Sequence, residues 1–199
     1  PTQKRLETLT SLGNLGAPLQ ADHFFNRGRG YDFLFSRFYG VYMLNTAEQK
    51  HFYLRRPLTL ISYTSGGGSS IGEQSIRATH SQNVNKYLNF GLTYDNYGTK
   101  GIYKNQKTKD NFFSLFASYY KDRFSVQGAI SYSRIRNNEN GGLEQDSSMN
   151  DATIEPSLIS FQLKGASSEI RKKSVSGVVG YTLINRWVGE LDKKGNKIM

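Results

Sequence analysis

Apolar and polar residues alternate along several segments of the chain. Between residues 86 and 97, Leu88, Phe90 and Leu92 take even positions, and polar residues such as Asn89 and Thr93 take odd ones. Because successive side chains of a strand point to opposite faces, this segment is predicted to be a strand with one apolar and one polar face. Alternation alone favours a soluble antiparallel sheet with one face on a core. The same pattern recurs over residues 123–133 and 174–183, and more weakly over 113–119 and 73–79.

The composition of the polar faces changes this interpretation. They carry Ser, Thr, Gln, Gly and Asn rather than the Lys and Glu of an ordinary solvated sheet, which suits a wet and confined lumen. We therefore predict an all-β fold, an antiparallel transmembrane β-barrel of the outer-membrane type. The candidate lumen-facing residues are Glu73, Ser75, Arg77, Asn89, Thr93, Asp95, Arg123, Gln127 and Ser131.

Aromatic residues stand near the ends of the predicted strands. Tyr and Trp favour the headgroup level of a bilayer, where they form the aromatic girdles of outer-membrane barrels. A soluble core can also hold many aromatic side chains, so this feature adds support without deciding the fold. The candidate interfacial aromatics are Tyr87, Tyr97, Phe112, Tyr120, Tyr132 and Trp187.

The connections between the predicted strands alternate between short and long, which is typical of barrels with tight periplasmic turns and extended outer loops. Residues 98–110 hold four Lys and one Asp, whereas residues 137–156 hold five acidic residues and no Lys or Arg. The two loops are predicted either to attract each other across the barrel mouth or to be independently solvated. The candidate outer-loop charges are Lys100, Lys104, Lys107, Lys109, Glu139, Glu144, Asp146 and Asp151.

Composition excludes several classes of protein. The chain has 199 residues, no Cys and a formal net charge of +10. Without Cys it is neither a disulfide scaffold nor a zinc ribbon, and it has no cysteine nucleophile. No apolar run approaches the roughly 20 residues of a membrane-spanning helix. The aromatic share of 13% argues against disorder.

No catalytic or metal-binding motif is visible. His23, His51 and His80 are too far apart for a local metal signature, and no HExxH is present. We therefore predict no enzymatic activity and no cofactor. The basic charge has two candidate locations: the lumen, where Arg77 and Arg123 would favour anions, and the surface, where lysines would meet lipopolysaccharide phosphates. A nucleic-acid partner would leave the alternating strands unexplained, so none is expected.

Longer stretches resemble a known family. These are HFYLRRPLTLISYTSG (51–66), residues 75–143 with the pieces HSQNVN, KNQKTKDNF and NNENGG, and the flanking segments LGNLGAP (12–18) and ASSEIRKKSVSGVVGYTL (166–183). Together they resemble the putative porin family of Bacteroidota outer membranes. The resemblance implies one large barrel in the outer membrane that passes small solutes passively, and it carries no functional residue over to this chain.

The resemblance also bears on completeness. Family members are longer, and the chain ends in KKGNKIM, which resembles a loop. We expect one domain over residues 1–199 that forms an incomplete N-terminal portion of a larger barrel and contains about eight or nine strands.

Two functions follow from these expectations. The first is an integral outer-membrane porin for passive diffusion of small hydrophilic solutes or ions. The alternative is a non-catalytic structural or docking barrel subunit of an outer-membrane complex for secretion, assembly or lipoproteins. The expected partners are the lipid bilayer, lipopolysaccharide and other outer-membrane proteins or lipoproteins. A soluble lipocalin-like binder is a more distant alternative.

Overall fold

A computed structural model describes residues 9–11, 13–26, 34–43, 46, 49–68, 72–145 and 153–183. The central feature is a six-stranded antiparallel sheet in which each strand pairs with the next one along the chain. Its strands are β3 (Leu58–Gly66), β4 (Gly72–Asn83), β5 (Leu88–Lys100), β6 (Lys107–Lys121), β7 (Phe124–Glu139) and β8 (Ala166–Tyr181). A separate two-stranded sheet pairs β1 (Leu9–Ser11) with β2 (Leu19–Ala21), and short 3₁₀ helices lie at Phe24–Asn26, Leu34–Tyr39 and Pro156–Leu158.

The connections divide the sheet into two ends. The turn end carries the connections 84–87 and 122–123, and the loop end carries 67–71, 101–106 and 140–165. At the two-residue turn, Asp122 has a φ of 52°, a left-handed conformation that Asp tolerates better than most residues. The predicted alternation of short and long connections is therefore present, and the glycine-rich stretch lies at the long-loop end as expected.

The strands are longer than the alternating segments that predict them. The segment predicted at residues 113–119 belongs to a strand that begins at Lys107, and β8 begins at Ala166 rather than near residue 174. As a result the connection between β5 and β6 contains only residues 101–106. Backbone hydrogen bonds continue beyond the point where the apolar face loses its apolar side chains, so the alternation disappears before the strand does.

The all-β prediction is confirmed, with β3 and β8 at the two edges of the described sheet. The sheet has an apolar face, formed by odd positions of β3, β6 and β8 and even positions of β4, β5 and β7. Its apolar side chains are widely exposed, as shown by Ile61 at 74% and Val175 at 76%. No helix within the described ranges is long and apolar enough to cross a membrane.

The opposite side is the polar face, and over β4–β7 it is largely buried. The N-terminal segment, which we define as the described residues of 9–54, covers it. Tyr97, Phe112 and Ile135 of the sheet form one buried core cluster with four residues of the N-terminal segment, which are Leu19, Tyr39, Tyr42 and Met43. A hydrophobic core therefore lies between the sheet and the segment that precedes it in the chain.

Candidate functional site: the polar face and its cover

The middle of the polar face holds an ion pair and hydrogen-bonded side chains. Arg77 on β4 donates from Nε to Asp95 Oδ1 at 3.0 Å, and from Nη2 to Tyr97 Oη at 3.0 Å. Asp95 is 1% exposed. Pairing and hydrogen bonding compensate a buried carboxylate for its lost hydration. The adjacent strands place these residues together because Arg77 stands directly opposite Asp95 in the register.

At the loop end the N-terminal segment is fastened to the sheet through its backbone. The Leu15 carbonyl accepts hydrogen bonds from Thr99 Oγ1 at 2.8 Å and from Thr108 Oγ1 at 2.6 Å. Asn14 donates its side-chain amide to the same Thr99 hydroxyl. Two strands therefore bind one carbonyl, since Thr99 and Thr108 are directly paired across β5 and β6.

Gly16 allows this close approach. It has a φ of +88°, and a Cβ at this position would lie 2.6 Å from Asp110 Oδ2 and 3.0 Å from Thr108 Oγ1. Only glycine combines that backbone conformation with such short contacts at little cost. Asp110 is fully buried beneath the segment, and no side chain in the described ranges donates a hydrogen bond to its carboxylate oxygens.

Tyrosines of the segment extend the contact towards β7. Asn137 donates its amide to Tyr39 Oη at 2.5 Å, and the Tyr42 ring lies 6.4 Å from the Tyr97 ring between centroids. Burial raises the pKa of Tyr42 to about 12, an effect opposed by a hydrogen bond from the Gly16 backbone. Tyr42 therefore stays neutral at ordinary pH and packs as part of the core.

Nearer the turn end the segment keeps to the same face. Ser114 donates to Gln49 Oε1 at 2.9 Å, and the rings of His51 and Phe52 lie 5.7 Å and 5.9 Å from the Phe116 ring. Burial lowers the pKa of His51. Asn83 of β4 then donates its amide to the Leu54 carbonyl at 2.5 Å, just before the chain enters β3. The contacts thus run from one end of the sheet to the other.

Most candidate lumen-facing residues share this polar face. The register places them at odd positions of β4, β5 and β7, and whether the face lines a lumen stays a prediction. Arg123 is the exception, because it lies exposed in the two-residue turn rather than within a strand. The residues that share the face are Glu73, Ser75, Arg77, Asn89, Thr93, Asp95, Gln127 and Ser131.

The prediction of interfacial aromatics was wrong for two residues, and for a third it stays a prediction. Tyr97 and Phe112 are both 0% exposed and belong to the core under the N-terminal segment, on the face opposite the apolar one. Tyr120 also lies on the polar face, where its hydroxyl accepts from Gln127. An aromatic side chain near a strand end can point to either face of the sheet, and the parity of its position decides which one.

Other predicted aromatics have different surroundings. Tyr132 does lie on the apolar face, opposite Phe113. Tyr87 lies in the turn-end connection, with Lys86 Nζ at 4.8 Å and Lys121 Nζ at 5.5 Å from its ring centroid. Trp187 lies outside the described residues.

The charges assigned to outer loops also need correction. Lys100, Lys107, Lys109 and Glu139 belong to strands, because the ladder extends further than the alternation indicated. Lys104 and Glu144 do lie in connections, whereas Asp146 and Asp151 lie outside the described residues.

The two connections touch each other through backbone carbonyls. Asn105 Nδ2 donates to the Leu163 carbonyl at 2.8 Å, and Lys104 Nζ donates to that of Leu158 at 3.5 Å. The Tyr103 and Phe161 rings lie 5.9 Å apart between centroids. No ion pair joins the two connections in the described part of the chain, and the attraction between their opposite charges stays a prediction.

The described ranges contain no group of three or more His, Cys, Asp or Glu side chains able to hold a metal ion. Comparison with protein families finds a match between residues 1–183 and the family described as "Putative porin". Comparisons with curated proteins and with solved structures find no match.

Proposed function

Because this chain belongs to the putative porin family, we propose that it forms part of the wall of an outer-membrane β-barrel that passes small hydrophilic solutes or ions by passive diffusion. In this proposal the apolar face contacts lipid and the polar face lines the lumen. The N-terminal segment lies in that lumen and narrows it. The family supports a porin-like role in the outer membrane, and the finer assignments rest on the two faces of the sheet.

The single observation that carries the proposal is the exposed apolar face. Soluble monomers rarely expose contiguous apolar patches larger than a few hundred Å². Here exposed apolar side chains extend across the sheet from Ile61 on β3 to Val179 on β8. On β7 the apolar positions of this face run from Phe124 to Tyr132, which at ~3.3 Å per residue and a tilt of ~40° gives a band roughly 20 Å high. Outer-membrane barrels carry apolar bands about 25 Å tall.

The covered polar face determines what kind of pore is proposed. The N-terminal segment contacts the sheet at both ends, through Leu15 near the loop end and Leu54 near the turn end. A lumen containing this segment is narrower than one lined by strand side chains alone. We therefore expect a small conductance and passage of small solutes only.

Current across planar bilayers containing the full chain tests this proposal. We expect small, stable steps of current, and liposome swelling with small sugars but not with large ones. The charge balance of the polar face is mixed, since Arg77 is neutralised by Asp95, so weak ion selectivity is expected. Correctly folded protein that passes neither ions nor sugars would refute the channel.

The same cover favours a second candidate, a non-conducting structural or docking barrel. A segment that is bound along the whole polar face can seal a lumen as well as narrow it. Without conductance, isolation of the full chain from solubilised outer membranes together with the same stoichiometric protein or lipoprotein would support this second function. Neither function is enzymatic.

A further inference from the structure

Between its apolar band and the loop end, the apolar face of the sheet carries many basic side chains. Beyond Tyr132 and Val175 towards the loop end, the outward positions of β6, β7 and β8 carry Lys and Arg. We call this surface the basic collar, and it consists of Lys107, Lys109, Arg134, Arg136, Arg171 and Lys173. Glu169 is the acidic residue among the outward positions of this part of β8.

The strand register sets like charges directly against each other. Lys109 stands opposite Arg136 across β6 and β7, and Arg134 stands opposite Arg171 across β7 and β8. Directly opposed like charges destabilise a sheet. Glu169 relieves the second pair, because it accepts from Arg134 at 3.0 and 3.1 Å and also from Arg171. Arg136 stands directly opposite Glu169, but neither Lys109 nor Arg136 forms an ion pair within the described part of the chain.

A shallow depression shows where a counter-charge would fit. It has a volume of about 310 Å³ and is lined by Lys109, Asn111, Tyr132, Arg134 and Arg136. It therefore combines cations, an amide and a phenol, all capable of donating hydrogen bonds to phosphate oxygens. Its position is at the border of the apolar band, where the headgroup of a lipid beside the barrel would lie.

We propose that the basic collar binds the phosphate groups of a phosphorylated glycolipid, lipid A of lipopolysaccharide, packed against the apolar band. This inference rests on the proposed function, because it requires the apolar face to contact lipid. The acyl chains lie along the band below Tyr132, and the phosphates lie between Lys109, Arg134 and Arg136. Arg suits this role because its guanidinium binds phosphate through two parallel hydrogen bonds.

The test uses the full chain in detergent micelles and measures bound lipid by native mass spectrometry. The collar variant is K109Q/R134Q/R136Q, and the matched control is K86Q/K121Q/R123Q, which removes the same charge at the turn end. The probes are bisphosphorylated lipid A, the same lipid after dephosphorylation, and inorganic phosphate. Since each Lys or Arg near an anionic surface contributes about 1 kcal/mol, we expect roughly 100-fold weaker binding of bisphosphorylated lipid A by the collar variant.

The other results each decide the matter. The control variant is expected to bind like the unsubstituted chain, and dephosphorylated lipid A or inorganic phosphate alone to bind far more weakly. Raising the salt concentration from about 50 to about 500 mM is expected to weaken lipid A binding to the unsubstituted chain, a result that does not depend on any variant folding. Equal binding by both variants, or equal binding of both lipids, would overturn the proposal. Conductance separates the channel proposal from the lipid proposal, because the collar faces away from the lumen. Binding of lipid A without any current would refute the channel and leave the lipid proposal standing.

Discussion

Substitution of Gly16 by Ala is expected to loosen the N-terminal segment from the polar face while leaving the sheet intact. Gly16 lies in the chain next to the Leu15 carbonyl that two threonines bind. An added Cβ meets Asp110 Oδ2 at 2.6 Å, and the φ of +88° is unfavourable for alanine. The segment must therefore move away from the sheet or hold a strained backbone. Gly98→Ala is the matched control, because a Cβ there has no atom within 4 Å.

The expected magnitude follows from two costs. A left-handed conformation at a residue with a Cβ costs about 1–2 kcal/mol. If the segment moves to relieve the contact with Asp110, the hydrogen bonds from Thr99 and Thr108 weaken, at about 1 kcal/mol each. The sum is about 3 kcal/mol, which corresponds to a roughly 100-fold larger population of the released segment.

Hydrogen exchange followed by mass spectrometry measures this population. Peptides that cover residues 13–26 are expected to exchange faster in Gly16→Ala, since the Ala17 amide is bonded to the Asn14 carbonyl at 2.9 Å only in the folded segment. Peptides from β7 are expected to be unchanged, and the bilayer conductance to rise. If Gly16→Ala exchanges no faster than Gly98→Ala, the close approach at Gly16 does not hold the segment in place.

Three further predictions concern the apolar face, the tyrosines and the loops. Ile130→Arg is expected to destabilise the folded chain in bilayers by about 2–4 kcal/mol, because Ile130 lies in the apolar band. Asn138→Arg, on the same face but outside the band, is expected to cost no more than about 1 kcal/mol. Equal free energies of unfolding in guanidinium for the two variants would contradict the assignment of the faces. Because the pKa of Tyr42 is raised to about 12 in the folded segment, its neutral phenol stabilises that fold fully below pH ~10. This stabilisation is lost as the pH rises towards 12. Conductance is therefore expected to rise over that interval, and Tyr42→Phe to reduce the change. Asn105→Ala removes the hydrogen bond to the Leu163 carbonyl and replaces a residue that tolerates a φ of 59°. Hydrogen exchange in residues 153–165 is therefore expected to become faster. Asn105→Gly is expected to have a smaller effect, because glycine adopts that φ without strain.

Alternation predicted the strands well where the two faces differ most. Phe90 and Leu92 point away from Asn89 and Thr93, and this contrast identifies β5 directly from the sequence. The same contrast is absent between Gly98 and Lys100, where both faces carry polar residues or glycine. Backbone hydrogen bonding nevertheless continues to Lys100. Hydrophobic periodicity therefore locates the apolar band of a strand and not its ends.

The cover of the polar face could not be predicted from the sequence. Tyr97 and Phe112 stand at polar positions of β5 and β6, where large aromatic side chains depart from the pattern of Ser, Thr and Asn. Their place is explained only by Tyr39, Tyr42 and Leu19, which pack against them from segments far away in the chain. Aromatics at polar positions are the signal that the sequence contains, and nothing local distinguishes contact with a second layer from a place at a bilayer interface.

The attachment of the N-terminal segment at Leu15 and the basic collar lie at the same level of the sheet, on its two opposite faces. Thr99 and Thr108 bind the segment on the polar face, while Lys107 and Lys109, the chain neighbours of Thr108, point to the apolar face. A lipid phosphate drawn to Lys109 therefore acts on the same stretch of β6 that fastens Leu15. Movement of that stretch would change both sites at once, so the fit of the segment and the binding of lipid are expected to be coupled. Measuring segment exchange with and without bisphosphorylated lipid A separates this coupling from two independent sites, because only coupled sites change the exchange of residues 13–26.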